Sequence, residues 1–174
     1  MSLPVQAAGP TLASMLAAID VASSAPLEQR HAAMAQAMAS YVAAPDLLSG
    51  IECPSSQERY CRYPLYEDAD RRYAVVALVW APGQMSPVHA HHVWCALGLH
   101  RGALTEIFYS VAAGPAEPVA INLRHPGDTS AARADVTQIH RLANLSLAPA
   151  VSIHCYGVAL DQMASELNLV YAAA

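Results

Sequence analysis

The sequence predicts a mainly β chain, a sandwich or barrel of short strands carrying an N-terminal helical cap. From residue 58 onward, segments rich in Val, Ile, Tyr and Leu follow one another, divided by Pro, Gly and Asp. Before them, residues 11–45 are rich in Ala and poor in β-branched runs. No internal repeat, low-complexity tract or long linker separates the two textures, so the helices read as a cap on the β unit. At 174 residues a single domain spanning 1–174 is expected, with the cap at about 10–45 and the barrel at about 58–172.

Leu12, Met15, Leu16 and Ile19 recur at i, i+3, i+4 and i+7, which is one face of a first helix. Ser23-Ser24-Ala25-Pro26 breaks it, and Pro26 is placed near the first position of a second helix. There Met34, Met38, Tyr41 and Val42 line one side. Met fills irregular gaps, so this stripe is read as packing against a sheet. Strands are then expected near 58–64, 72–81, 87–100, 103–111, 117–123, 136–142, 150–158 and 168–172.

Composition excludes several classes of function. The net charge is −5 with no Lys/Arg cluster, which argues against nucleic acid and against an anionic membrane surface. No apolar run approaches the ~20 residues of a membrane-spanning helix. The N-terminus lacks a basic stretch followed by an apolar run and a cleavage site, so no signal peptide and a cytoplasmic location are expected. Cys53, Cys61, Cys95 and Cys155 form no C-x-x-C pair. Reduced thiols are expected, with neither a disulfide framework nor a structural zinc knuckle.

Chemistry enters at "SPVHAHHVWCALGLHRG", residues 86–102, where His89, His91 and His92 interrupt an apolar stretch. On a strand His89 and His91 point one way and His92 the other. Two adjacent inward imidazoles fill a core poorly, because each has a polar nitrogen that needs a partner; a metal ion satisfies both. By itself His-x-His is a weak signal. His92 reads as a surface residue or a support for the site.

The framing sharpens it. Gly83, His89, His91, Cys95 and Gly102 stand at the spacing of the first cupin motif, and His140-Arg141-Leu142-Ala143-Asn144 supplies the His-x-x-x-Asn that closes the second. Over about residues 60 to 158 the chain resembles a cupin. The resemblance implies a double-stranded β-helix barrel holding a divalent metal on His89, His91 and His140. It departs from the pattern twice: Cys95 stands where cupins have a glutamate ligand, and "ADVTQIHRLAN" lacks the usual Pro-x-Gly. Three neutral imidazoles leave the metal charge uncompensated, which invites an anionic ligand such as a thiolate. They also suit zinc, so the ligand set alone does not choose the metal.

"AVSIHCYGV", residues 150–158, places Ser152, His154 and Tyr156 on one strand face and Ile153 and Cys155 on the other. Inside a barrel so polar a face costs several kcal/mol if unsatisfied; a solvent-facing strand is the plain alternative. With His-x-His and "IHRLAN", it resembles the cysteine dioxygenase family of thiol dioxygenases. That resemblance implies Fe(II) on His89, His91 and His140. It also implies a Ser152–His154–Tyr156 relay whose phenol faces a small thiol substrate and O2. Cys95 matches a position where animal members carry a cysteine thioether-bonded to the tyrosine and most bacterial members a glycine. A Cys95–Tyr156 crosslink and a small buried pocket residue are both open.

Substrate choice rests on "ERYCRYPLY". Tyr60 and Arg62 share a strand face, and cysteine-type members of the family place an arginine there to grip the substrate carboxylate, for which a guanidinium is the natural fork. Arg59 is a rival, and a solvated arginine on an edge strand fits the nearby Pro64. Mercaptopropionate-type relatives have glutamine at that position and an arginine near the C-terminus, whereas this chain has none after Arg141. The expected reaction is oxidation of L-cysteine to its sulfinate. 3-Mercaptopropionate and mercaptosuccinate remain open, because "HAHHVWC" departs from the family's usual His-Asp-His. A zinc or manganese cupin hydrolase or isomerase, and a non-enzymatic ligand- or metal-binding cupin, are the other classes; neither needs the ordered relay. The oligomeric state is left open.

Overall fold

A computed structural model describes residues 11–173. The expectation about a signal peptide concerns the start of the chain, whose first ten residues lie outside that range. Two helices come first, α1 (Leu12–Ser23) and α2 (Leu27–Ala39). Strands β1 (Cys61–Glu67), β2 (Ala74–Trp80), β3 (His89–His91), β4 (Cys95–Arg101) and β5 (Leu104–Ser110) follow. Then come β6 (Glu117–Arg124), β7 (Thr129–Ala132), β8 (Ile139–Ala143) and β9 (Ala150–Tyr156), a short helix α3 (Met163–Glu166) and β10 (Asn168–Val170).

The strands form two five-stranded antiparallel sheets, ordered β1-β2-β9-β4-β7 and β10-β3-β8-β5-β6. The mainly β fold with helices at its N-terminus is as expected. Helices α1 and α2 cover the outer face of the first sheet, where Met15, Ile19, Met34 and Met38 meet Val75, Ala77, Ile153 and Cys155. The methionine stripe therefore packs on a sheet. Each such side chain, fully buried, contributes about 1.5–3 kcal/mol. On the inner face Val76, Leu78, Trp80, Leu97 and Leu99 pack against Leu104 and Leu142 of the second sheet. With both faces covered, β2 is the uninterrupted apolar run AVVALVW, every residue of it buried.

Several boundaries differ from the sequence pattern. The strand expected at 87–100 is two strands in opposite sheets, β3 and β4, separated by a turn at residues 92–94. No Pro, Gly or Asp marks this crossing in residues 88–97, but the corner is tightly built. The Gly157 N–H donates to the Trp94 carbonyl at 3.0 Å. A Cβ on Gly157 would fall 2.4 Å from the Trp94 indole nitrogen. Pro26 is the N-cap of α2 in extended backbone rather than its first helical residue, and α2 stops at Ala39. Strand β7 and helix α3 are too short for a periodic pattern to mark.

The motif residues at the barrel end have structural tasks. Gly102 adopts φ +81°, and a Cβ there would lie 2.8 Å from the backbone of Pro149 and Ala150, so the β4–β5 turn requires glycine. Asn144 is fully buried and its amide donates to the Trp80 and Ala148 carbonyls, both at 2.9 Å. It fastens the loop after β8 to the end of β2. Among the described residues no helix is long and apolar enough to cross a membrane.

Candidate metal centre

Register brings the histidines together. Strands β3 and β8 pair so that His89 stands directly opposite His140, while His91, two residues on, shares the face of His89. The three rings lie with centroids 4.7, 4.7 and 5.3 Å apart. All three are buried, and one ligand nitrogen from each lies within 4.8 Å of the others. His92 points away and is exposed.

The Nδ1 atoms are all engaged. His89 Nδ1 bonds the Pro87 carbonyl at 3.0 Å, His91 Nδ1 the Asn168 side-chain oxygen at 2.9 Å, and His140 Nδ1 the Glu106 carboxylate at 2.9 Å. Those oxygens only accept, so each Nδ1 carries the proton and each Nε2 presents a lone pair. His140 Nε2 and His91 Nε2 face each other at 3.3 Å. Two opposed lone pairs on buried rings call for a cation between them, so this donor set fits a divalent metal. Burial, then the neighbouring imidazole charges, pushes His89 down to about 4 and His91 to about 2. Both are neutral ligands at neutral pH.

Glu106 is 2% exposed, and its second oxygen accepts from Arg124 Nε at 2.9 Å and Nη2 at 2.6 Å. Burial alone would raise its carboxyl, but the His140 hydrogen bond and the His140 and Arg124 charges outweigh it and hold the group below the usual carboxylate range.

A second chain of polar groups runs along β9. Trp80 Nε1 donates to Ser152 Oγ at 3.0 Å; Ser152 Oγ lies 2.8 Å from His154 Nε2, and His154 Nδ1 lies 2.9 Å from the Tyr156 hydroxyl. Trp can only donate. With Ser152 fully buried, one ordering leaves its hydroxyl hydrogen satisfied. Ser152 donates to Nε2, His154 Nδ1–H donates to the phenol oxygen, and the Tyr156 proton is left to face the cavity. Burial first, then the Arg62 charge, lowers His154 to about 3, so the ring is neutral. Burial raises the Tyr156 phenol, which stays protonated.

The three histidines, Cys95, His154 and Tyr156 line one cavity with Tyr60 and Arg62. Tyr60 stacks on Trp80 with ring centroids 4.4 Å apart. Among the described residues Arg62 is the only Lys or Arg lining the cavity, and its Nε is buried without a partner. Arg59 is exposed and outside it. Cys95 stands opposite Tyr156 in the β4–β9 register, and burial pushes its thiol up to about 12, so it is neutral. The sequence reading missed Glu106, Arg124, Asn168 and Trp80. One signal was present: in "LTEIFYS" Leu104, Glu106 and Phe108 alternate, which aims a carboxylate into the barrel.

Two antiparallel sheets enclosing three converging imidazoles define a metal-binding barrel of the cupin class. The family model for cysteine dioxygenase type I matches residues 4–165, and the chain belongs to that family. Solved structures with a similar fold include Peruvianin-I from Thevetia peruviana latex, at 14% identity over 71% of this chain and 74% of that one, TM-score 0.51. A double-stranded β-helix protein from Klebsiella pneumoniae aligns at 18% identity over 64% of this chain and 87% of that one, TM-score 0.49. TT1209 from Thermus thermophilus aligns at 19% identity over 61% and 90%, TM-score 0.48. At such identities the likeness concerns the fold alone.

The depressed imidazole values set a pH window. Burial keeps His89 neutral until pH approaches about 4 and His91 lower still, whereas an unperturbed histidine protonates near 6.5. Over the same range the metal-free fold should lose stability as pH drops from 6.5 toward about 4, because unfolding releases imidazoles that take up protons. A midpoint near 6.5 for His89 in the metal-free protein, read by NMR titration, would contradict its burial.

Proposed function

We propose that this protein is a mononuclear Fe(II) thiol dioxygenase that converts a small thiol carboxylate, L-cysteine first, to its sulfinate. One observation carries the reading: a single cavity joins the three imidazoles, the half-buried Arg62, whose buried Nε has no partner, and the end of the Tyr156 relay. Fe(II) on His89, His91 and His140 would supply the site where thiolate and O2 meet and electrons pass from sulfur to oxygen. The overall change, RS⁻ + O2 → RSO2⁻, takes four electrons from sulfur and needs no external reductant.

The chain's own groups do the rest. The imidazoles add no negative charge, so an anionic thiolate balances the dication. Arg62 pairs with the substrate carboxylate and so orients the thiol carbon, while Tyr60 and Trp80 form the wall beside it. Tyr156 donates its proton toward the reacting sulfur and oxygen, held in that direction by His154, Ser152 and Trp80. A hydrolase or a passive binding module has no need of this proton ordering.

Cys95 and Tyr156 are directly opposed across two strands, a placement in which Cβ atoms lie about 4.5–5.5 Å apart. That placement supports a thioether between Cys95 Sγ and the ring carbon ortho to the hydroxyl. One S–H and one C–H are lost, and the two hydrogens with their electrons pass to O2.

In an oxygen electrode, one O2 should disappear per L-cysteine sulfinate formed, with both labelled oxygen atoms in the product. Arg62→Ala should lower kcat/KM for L-cysteine by about 10- to 100-fold, the worth of a charge-assisted bond, while iron content stays unchanged. Disulfide or peroxide as main product would overturn the dioxygenase reading. Equal turnover of cysteamine would remove Arg62 as the carboxylate partner, and a preference for 3-mercaptopropionate or mercaptosuccinate would replace L-cysteine as substrate.

The crosslink has its own readout. Intact mass after turnover should show a species lighter by two hydrogens that survives reductant. Tyr156→Phe should abolish it and slow catalysis; Cys95→Gly should abolish it and leave substantial activity. No mass loss, with Cys95 alkylated after many turnovers, would leave Cys95 as a small wall residue.

A further inference from the structure

The three imidazoles are held by unequal partners. His89 donates to a backbone carbonyl and His91 to a side-chain amide, both neutral dipoles. His140 donates to Glu106, a carboxylate 2% exposed with both oxygens occupied. An ionised pair such as Glu106–Arg124 is expensive to bury, and apolar residues of similar volume commonly serve a fold as well or better. Packing therefore gives no reason for a carboxylate at this point of the second sheet. Its placement does: Oε1 touches the proton of a metal ligand, while Arg124, with a 17% exposed side chain, sits behind the other oxygen. The counter-charge is on the far side, and the near oxygen draws the Nδ1 proton and enriches Nε2 in electron density.

We propose that Glu106 is a positioning residue that delivers negative charge to the bound metal through His140, making it the strongest of three otherwise neutral donors. It raises the affinity for a divalent cation and lowers the reduction potential of bound iron. Arg124 keeps the carboxylate ionised and oriented. This rests on the reading that the site holds a divalent metal. It is tested with the metal alone, without thiol or O2, so its failure and the failure of the dioxygenase reading are separate events.

The measurement is the anaerobic dissociation constant of Fe(II), by chelator competition, together with the potential of the bound iron. Glu106→Gln preserves shape and an acceptor for His140 but removes the charge. It should weaken Fe(II) binding by about 10- to 100-fold and raise the potential. Adding Asn168→Asp to that variant places a carboxylate behind His91 instead, and should recover at least half of the loss on a logarithmic scale. If Glu106→Gln leaves Arg124 too unbalanced to fold, Glu106→Gln with Arg124→Met removes both charges and serves in its place. Affinity and potential within twofold and within error of the parent would overturn the proposal. A loss that Asn168→Asp leaves wholly unrecovered would do so too, and would make Glu106 a geometric support only.

Discussion

Three imidazoles can share one buried point only if each has somewhere to put its Nδ1 proton, and the rest of the barrel is arranged around that requirement. The Pro87 carbonyl, the Asn168 amide and the Glu106 carboxylate come from three different stretches of chain, yet each sits about 3 Å from its histidine. Without them the rings would face the cavity in mixed tautomers, and Nε2 lone pairs would not converge. Two of the acceptors are fixed by strand pairing: Asn168 is the register partner of His91, and Glu106 stands one inward position from Phe108, the partner of His140. A slip of one residue on either strand would turn the acceptor to the other face.

The first sheet supplies the opposite wall on the same principle. Because α1 and α2 cover its outer face, β9 can give its inner face to Ser152, His154 and Tyr156 and keep Ile153 and Cys155 for the core beneath the helices. Trp80 anchors the chain of polar groups as a pure donor, so the proton order runs one way, toward the cavity. The three clustered imidazoles and the polar chain of β9 thus belong to different sheets and meet where His91 and Tyr156 lie with ring centroids 5.4 Å apart.

What was legible in the sequence follows from how far apart the partners lie. His89 and His91, like Ser152, His154 and Tyr156, sit two residues apart, so strand alternation alone assigns their faces. The His140 assignment needed the second cupin motif, and the pairing of β3 with β8 places that ring opposite His89. The supports were hidden because they are distant: Glu106 precedes His140 by 34 residues and Asn168 follows His91 by 77. Nothing short of the register reveals such pairs. The turn at residues 92–94 was hidden for a different reason, since both strands it joins are buried and no Pro, Gly or Asp stands between them. Yet the site depends on it, because it moves the chain from the sheet of the three imidazoles to the sheet that carries Ser152, His154 and Tyr156.

The central claim is that the protein offers the metal three neutral imidazoles and leaves the anionic donor to the substrate. X-ray absorption at the iron edge, on anaerobic Fe(II)-loaded protein with and without L-cysteine, tests it directly. The account predicts three imidazole nitrogens and no sulfur in the free protein, and one sulfur after L-cysteine is added. Sulfur bound before substrate is added would make Cys95 a ligand and contradict the account, as would a coordination shell that L-cysteine leaves unchanged.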